Sequence, residues 1–230
     1  MNTNTDVVVQ PAVPILYFGD RQAYHTSSTR LVTVALNPSK AEFPPESPYV
    51  RFPRAEGHSE PSDDYLSALD AYFVTQPYRS WFSSFEPVLN GADASYYPGR
   101  TNTALHTDIC SPVATDPTWS KLDGETRRNL ISAGAPLWHD LIRTLKPHVI
   151  LVSLARHHLD KIEFPSKDRF ELARLDEGRK YPYVTTAQRV DIDGHESLLV
   201  FGRAANQPFG SITKSYRSEI GGLIAKVLGA

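Results

Sequence analysis

The chain has 230 residues, and 24 Lys and Arg residues against 26 Asp and Glu residues give a formal net charge of −2. This length is enough to bury one sizeable α/β core, and no stretch has the composition of a long linker. We therefore expect one domain over residues 1–230, with a flexible tail at residues 1–12. The charge balance argues against a protein that coats nucleic acid without specificity, but it permits an enzyme with a local basic rim.

The single cysteine, Cys110, excludes an intrachain disulfide, and we expect it to be a small buried side chain. The first ten residues lack the apolar run of a secretory signal, and no segment approaches the roughly 18 apolar residues of a membrane span. These features predict a cytoplasmic protein without a membrane partner.

The first half of the chain alternates apolar runs with loops. Apolar residues predict strands at 15–18 and 31–36, and helical spacing predicts helices at 63–75 and 78–89. Between them, prolines crowd residues 39–61 and periodicity disappears, which predicts a long loop.

In the second half, residues 103–109 and 148–154 predict buried strands, and residues 124–145 predict two helices separated near Pro136. Alternation through residues 170–201 around an Asp-Gly turn predicts an antiparallel hairpin, followed by a last helix at 213–228. This order of elements predicts an α/β protein: a three-layer α/β/α sandwich with a mostly parallel central sheet.

Two polar loops follow predicted strands. The first begins at Asn37, in the sequence Ala-Leu-Asn-Pro-Ser at residues 35–39, and the second, at residues 202–211, contains Asn206. Ligands of open α/β sheets bind at the carboxyl ends of the strands, so both asparagines are candidates for chemistry. An ordinary turn would also explain each of them.

The two loops together resemble those of the uracil-DNA glycosylase superfamily. That family carries Gly-x-(Asp/Asn)-Pro after its first core strand and (His/Asn)-Pro-Ser-x-x-Ser before its last helix. Here Ala35 replaces the glycine, and Gln207 displaces the proline by one position. The helix, Lys-Pro turn and strand at residues 141–154 are also similar, so the resemblance spans residues 31–228.

The resemblance implies a DNA glycosylase that flips a nucleotide out of the duplex and hydrolyses its N-glycosidic bond as a monomer, without a metal or cofactor. Asn37 would hold the attacking water, and Asn206 would donate a hydrogen bond to the departing base. Phe209 would enter the minor groove as a wedge. The DNA backbone would be held by residues on or after the second loop, namely Arg203, Ser211, Lys214 and Arg217.

Four further residues are expected to bind the base. Asp108 falls at the base-reading position and could accept a hydrogen bond from a cytosine amino group, unless the alignment slips and His106 is the reader. Ser39 stands where uracil enzymes carry a bulky tyrosine, which leaves room at pyrimidine C5. Phe52, or Tyr49 in its place, would form the pocket floor.

These departures favour a C5-modified cytosine as the substrate. The combination resembles the anti-phage branch of the superfamily, which removes glucosylated hydroxymethylcytosine from phage DNA. Uracil removal in base-excision repair is the alternative within the family.

Two readings from other classes remain open. The first is a metal-dependent hydrolase, because His and Asp side chains are common metal ligands, although their spacing here matches no tight motif. Its candidate ligands are His106, Asp108, His139, Asp140, His157 and His158. The second is a catalytically silent domain that binds nucleic acid or nucleotides, since fold does not fix function.

Overall fold

The structure is a computed structural model that describes residues 5–10, 12, 14–52, 63–176 and 178–229. In these residues the chain forms an α/β fold around one sheet of seven strands, in the order β2-β3-β1-β4-β7-β6-β5. The strands are β1 (Leu31–Ala35), β2 (Ala94–Ser95), β3 (Asn102–Asp108), β4 (Val149–Val152), β5 (Ser166–Leu175), β6 (Tyr183–Ile192) and β7 (His195–Phe201).

The helices of the described residues are mostly short, with one long helix in the middle of the chain. They are α1 (Arg21–Thr26), α2 (Asp63–Asp70), α3 (Tyr72–Thr75), α4 (Arg79–Phe82), α5 (Glu86–Gly91), α6 (Gly124–Leu145) and α7 (Lys214–Leu228). Each of the two helices predicted before β2 is therefore divided into two short pieces.

The sheet is mostly parallel, because β6 alone among its described strands runs against the others. Every residue of β1 and β4 is buried, as expected for central strands covered on both faces. The predictions of these two strands and of β3 are confirmed. The chain passes from β1 to β3 on one side and later returns to β4 on the other side of β1.

The predicted hairpin is confirmed, since β6 and β7 pair antiparallel around a turn at Asp193 and Gly194. β5 extends it with a third strand that begins before the predicted segment. The last helix is also confirmed: α7 begins after Thr213, whose side chain accepts a hydrogen bond from the backbone N–H of Tyr216.

The prediction of a helix break at Pro136 is wrong, because α6 is continuous over 22 residues. A proline removes one backbone hydrogen bond, but the buried side of this helix continues unchanged across it. Leu130 and Gly134 precede the proline, and Trp138 and Ile142 follow it, all buried at helical spacing. Core packing on both sides outweighs the lost bond.

One prediction near the amino terminus also fails. Residues 15–18 form no strand, because only Phe18 makes a bridge, exchanging backbone hydrogen bonds with His106 at the edge of β3. Within the segment predicted as a flexible tail, the N–H of Val9 donates to Ala114 O at 3.0 Å, and Val9 is buried.

None of the helices in the described part of the chain combines the length and the apolar character that crossing a membrane requires.

Candidate active site

A cleft of about 590 Å³ opens at the carboxyl edge of the sheet. Its lining comes from the ends of β1 and β3 and from the loops that follow β1, β4 and β7. In the sheet, β1 lies between β3 and β4, so the connections that follow β1 run first to one side of it and later to the other. Ligands of α/β folds bind at the carboxyl ends of the strands where the strand order reverses in this way. Asn37, Asn206, Asp108, His106 and Ser39 all line this cleft.

The amide of Asn37 is held in one orientation. Its Nδ2 donates to the carbonyl of Pro38 at 2.6 Å and to Oγ1 of Thr115 at 3.0 Å. Both N–H groups of the amide are thereby used, and Oδ1 is left to accept. Asn37 therefore offers an oriented acceptor at the end of β1.

Asn206 lies across the cleft in a loop with unusual backbone geometry. Its φ is +59°, and Phe209 and Ser211 also have positive φ values, of +50° and +70°. Asparagine tolerates this left-handed conformation better than most residues, and clustered strain of this kind is common at functional loops. The Asn206 side chain is exposed and makes no hydrogen bond within the described residues.

Asp108 is a nearly buried carboxylate whose side chain is 3% exposed. The imidazole of His106 lies beside it, with Nε2 3.8 Å from Oδ1, which is beyond hydrogen-bond distance. A buried carboxylate is costly unless donors reach it. In the described part of the chain none does, so Asp108 is available to a donor group on a ligand.

His106 is joined to a chain of buried hydroxyl groups. Burial raises the pKa of Tyr96 well above its ordinary value, so its hydroxyl keeps its proton and can donate to Thr33 Oγ1. Thr33 Oγ1 lies 2.7 Å from His106 Nδ1 and 3.3 Å from the carbonyl of Leu105. Donation from Thr33 along the shorter contact would place the imidazole proton on Nε2, facing Asp108, whereas donation to Leu105 would place it on Nδ1.

Glu42 is a site residue that the sequence analysis missed. It lines the cleft, is 7% exposed, and accepts a hydrogen bond from the hydroxyl of Tyr72 at Oε1. Burial, and to a smaller extent the negative charge of Asp108, raises the pKa of Glu42 to about 8. Its position in the irregular segment after β1 gave no periodic signal that could have identified it.

The predicted pocket floor is wrong. Phe52 is buried in an aromatic cluster, stacked on Phe43 with ring centroids 5.4 Å apart, and Tyr49 lines a separate small cavity beside it. Three other aromatic residues line the main cleft instead, namely Tyr78, Trp81 and Trp119. Trp81 also packs edge-on against His106 at 5.1 Å.

Phe209 is not an exposed wedge, which corrects the second aromatic prediction. Its side chain is fully buried and packs against Phe85, with ring centroids 6.1 Å apart. Its backbone N–H donates to Oγ of Ser153 at 2.8 Å. The residue anchors the second loop to the core and is not available to enter DNA from this position.

The predicted DNA-backbone contacts divide into two groups. Arg203, Lys214 and Ser211 are exposed, and the carbonyl of Ser211 accepts a hydrogen bond from Arg179. Arg217 instead folds back, with Nη1 donating to the carbonyl of Ser84 at 3.3 Å, and burial lowers its pKa. Arg203, Ser211 and Lys214 form the exposed rim of the second loop.

The six candidate metal ligands do not form one group. Both ring nitrogens of His139 are hydrogen-bonded, to the carbonyl of Ala135 and the N–H of Glu163, at 2.7 and 3.1 Å. His157 and His158 pack against each other with ring centroids 4.0 Å apart, and neither of them lines the cleft. Within the described residues, no group of three or more His, Cys, Asp or Glu side chains could hold a metal ion.

No family model, no curated protein and no solved structure matches this chain. What the site can do must therefore be inferred from its own residues.

Proposed function

We propose that this protein is a DNA glycosylase that takes a flipped pyrimidine nucleotide into the cleft and hydrolyses its N-glycosidic bond. The observation that carries the proposal is the convergence of Asn37 and Asn206 on one cleft, which Asp108 at the end of the neighbouring strand β3 also lines. Breaking this bond needs a placed water on the sugar and hydrogen-bond donors on the departing base. The cleft offers an acceptor and a donor on separate loops.

Asn37 serves the attacking water. Because both of its N–H groups are already bonded, its free Oδ1 can accept a hydrogen bond from water and hold it against C1′. An amide is not a strong base, so the water loses its proton to solvent after it adds to the positively charged sugar. The contribution of Asn37 is orientation.

Asn206 serves the departing base. Its amide N–H groups are free to donate to a pyrimidine carbonyl oxygen, where negative charge develops as the bond breaks. The left-handed backbone of this residue fixes the direction from which the side chain enters the cleft.

A C5-modified cytosine, such as glucosylated hydroxymethylcytosine, is the substrate that the site residues favour. Asp108 can accept from the N4 amino group of cytosine, and the small side chain of Ser39 leaves space beside C5. The volume of about 590 Å³ lies in the range of pockets that hold drug-sized ligands, which is more than a bare pyrimidine needs.

The packing of β3 supports a three-layer α/β/α arrangement for this enzyme. Successive residues of a strand point to opposite faces of a sheet. Thr107 accepts a hydrogen bond from Trp138 of α6 at 3.0 Å, whereas His106 packs against Phe85, which immediately precedes α5. Helices therefore contact β3 from both sides.

Duplex DNA would lie across the exposed rim of the second loop. Arg203 and Lys214 can contact phosphates there. The loop between β5 and β6 adjoins this rim, because Arg179 hydrogen-bonds Ser211, and it presents Tyr181 at 70% exposure. We assign the wedge role to Tyr181 in place of the buried Phe209.

The proposal is tested by counting abasic sites. Duplexes that contain glucosylated hydroxymethylcytosine, unmodified cytosine or uracil at one position are incubated with the protein and then treated with alkali, which breaks strands at abasic sites. We expect breaks at the modified cytosine, formed about 10²-fold to 10³-fold more slowly by Asn206→Asp. Breaks at uracil alone would contradict the substrate assignment, and no breaks in any duplex would contradict the glycosylase.

A further inference from the structure

Glu42 is placed in the cleft without a role in the reaction described above. Its backbone carbonyl is fixed by Nε of Arg51 at 2.8 Å, so the turn that carries it is anchored. The side chain reaches the same cleft as Asn37 and Asp108. A buried carboxyl group in this position needs an explanation, because burying one is costly unless both of its oxygens are satisfied, and Tyr72 reaches only Oε1.

Tyr72 determines which oxygen of Glu42 can carry a proton. The Tyr72 hydroxyl accepts from the backbone N–H of Tyr78 at 3.0 Å and donates to Oε1 of Glu42. Since Oε1 is already an acceptor, a proton on this carboxyl group resides on Oε2. Within the described residues Oε2 has no hydrogen-bond partner, and it is not among the polar atoms sealed from solvent.

The two carboxyl groups of the cleft therefore differ in hydrogen-bond character. Burial and the nearby negative charge of Asp108 raise the pKa of Glu42 to about 8, so near neutral pH Glu42 is a donor. Asp108 provides the acceptor. A protonated carboxyl group beside a hydrogen-bond acceptor is a common arrangement in enzymes.

We propose, building on the glycosylase function above, that Glu42 is the general acid that protonates ring nitrogen N3 of a flipped cytosine derivative, while Asp108 accepts from its N4 amino group. Cytosine presents a donor at N4 beside an acceptor at N3. Uracil presents the reverse order, an acceptor at O4 beside a donor at N3, so the same pair rejects it.

The step balances without a further reactant. As the bond between C1′ and N1 breaks, its electron pair stays on the base, and the proton of Glu42 Oε2 moves to N3, so the base leaves neutral. Water adds its oxygen to C1′ and releases one proton to solvent, from which Glu42 is reprotonated. The products are the free base and an abasic sugar.

Glu42→Gln separates proton transfer from recognition. A glutamine side chain keeps an oxygen for Tyr72 and an N–H for N3, but it has no proton to transfer. We measure abasic-site formation for wild type, Glu42→Gln and Glu42→Ala on the modified-cytosine duplex from about pH 6 to about pH 10. Glu46→Gln, at an exposed carboxyl group four residues away, is the matched control.

For wild type we expect kcat to fall as pH rises through about 8, because the acid must be protonated to act. Glu42→Gln should lower kcat by about 10²-fold to 10⁴-fold, leave KM within about threefold and abolish the alkaline fall. Glu42→Ala should also raise KM, and Glu46→Gln should match wild type.

Two results would overturn the proposal and can be told apart. If wild type forms abasic sites and Glu42→Gln keeps the wild-type kcat or the alkaline fall, Glu42 is not the acid, and the glycosylase function stands. If wild type forms no abasic site in any duplex at any pH, both the acid role and the proposed function are wrong.

Discussion

Gly202 and Phe209 fit together at the base of the second loop: a Cβ atom on Gly202 would lie 2.1 Å from Cε1 of the Phe209 ring. The ring occupies the space that a side chain on Gly202 would need. Because the ring is fully buried, it has no room to move away. The end of β7 and the loop that carries Asn206 are thereby joined through one close contact.

We expect Gly202→Ala to destabilise the protein by about 1–3 kcal/mol through overpacking, and Phe209→Ala by about 3–5 kcal/mol through the cavity that it leaves. Urea unfolding measures both changes. Phe209→Leu, which keeps most of the apolar volume, serves as the control. A Phe209→Ala variant with unchanged unfolding free energy and selective loss of activity on duplex DNA would restore the wedge role.

Asn37 should depend on Thr115 for its orientation. Removing the side chain with Asn37→Ala should lower kcat on the modified-cytosine duplex by roughly 10²-fold, since a misplaced water costs about that much. Thr115→Val removes one of the two amide partners and should give a smaller loss, with KM unchanged. Equal rates for wild type and Asn37→Ala in single-turnover assays would exclude the water-holding role.

Asn206 should act as a hydrogen-bond donor. The variants that test this must tolerate its left-handed backbone conformation. An alanine at φ +59° is strained, so Asn206→Asp and Asn206→Gly are the informative variants. Both should lower kcat by about 10²-fold to 10³-fold, because neither can donate to the departing base. If Asn206→Asp retained wild-type kcat, donation from this side chain would be refuted.

Tyr181 should matter only when the target base is stacked in a duplex. We expect Tyr181→Ala to lower activity on duplex DNA by about tenfold or more and to leave activity on single-stranded DNA nearly unchanged, since opening a stack costs a few kcal/mol. Val74→Ala, at a residue that is 69% exposed and does not line the cleft, is the control. Equal losses on both substrates would argue against a wedge.

Glu42 should also make folding stability depend on pH. Its pKa is higher in the folded protein, about 8, than in an unfolded chain, about 4.3, so its contribution to stability is present at low pH and is lost as pH rises through 8. The unfolding free energy of wild type relative to Glu42→Gln should fall by roughly 3–5 kcal/mol between about pH 4 and about pH 9. Parallel pH curves in urea unfolding would contradict this.

The sequence predicts the fold and the site best where one local pattern is enough to identify an element. The apolar, β-branched runs of β1 and β4 predicted buried parallel strands, and the rule that ligands bind at strand ends predicted that Asn37 and Asn206 would meet. These inferences need only the pattern of one strand and the direction of its neighbours.

Predictions failed where a distant contact decided the outcome. A loop rich in Pro and Gly predicts an exposed Phe209. The ring is buried because Gly202 leaves space for it, and that space depends on the tertiary fold and has no local sequence pattern. Phe52 was assigned to the pocket, but it is buried beside Phe43. Glu42 lies in an irregular segment, where neither hydrophobic periodicity nor motif spacing indicates a site residue.

The rate of abasic-site formation on a duplex with one glucosylated hydroxymethylcytosine tests most directly whether Asn37 and Asn206 act together on one nucleotide. Wild type, each single variant and the combined Asn37→Ala, Asn206→Asp variant are compared under single-turnover conditions, with folding checked by urea unfolding. We expect alkali-sensitive breaks at the modified base for wild type and a loss of at least about 10²-fold in each variant. Equal breakage by wild type and the folded combined variant, or no breakage by wild type, would contradict a shared active site.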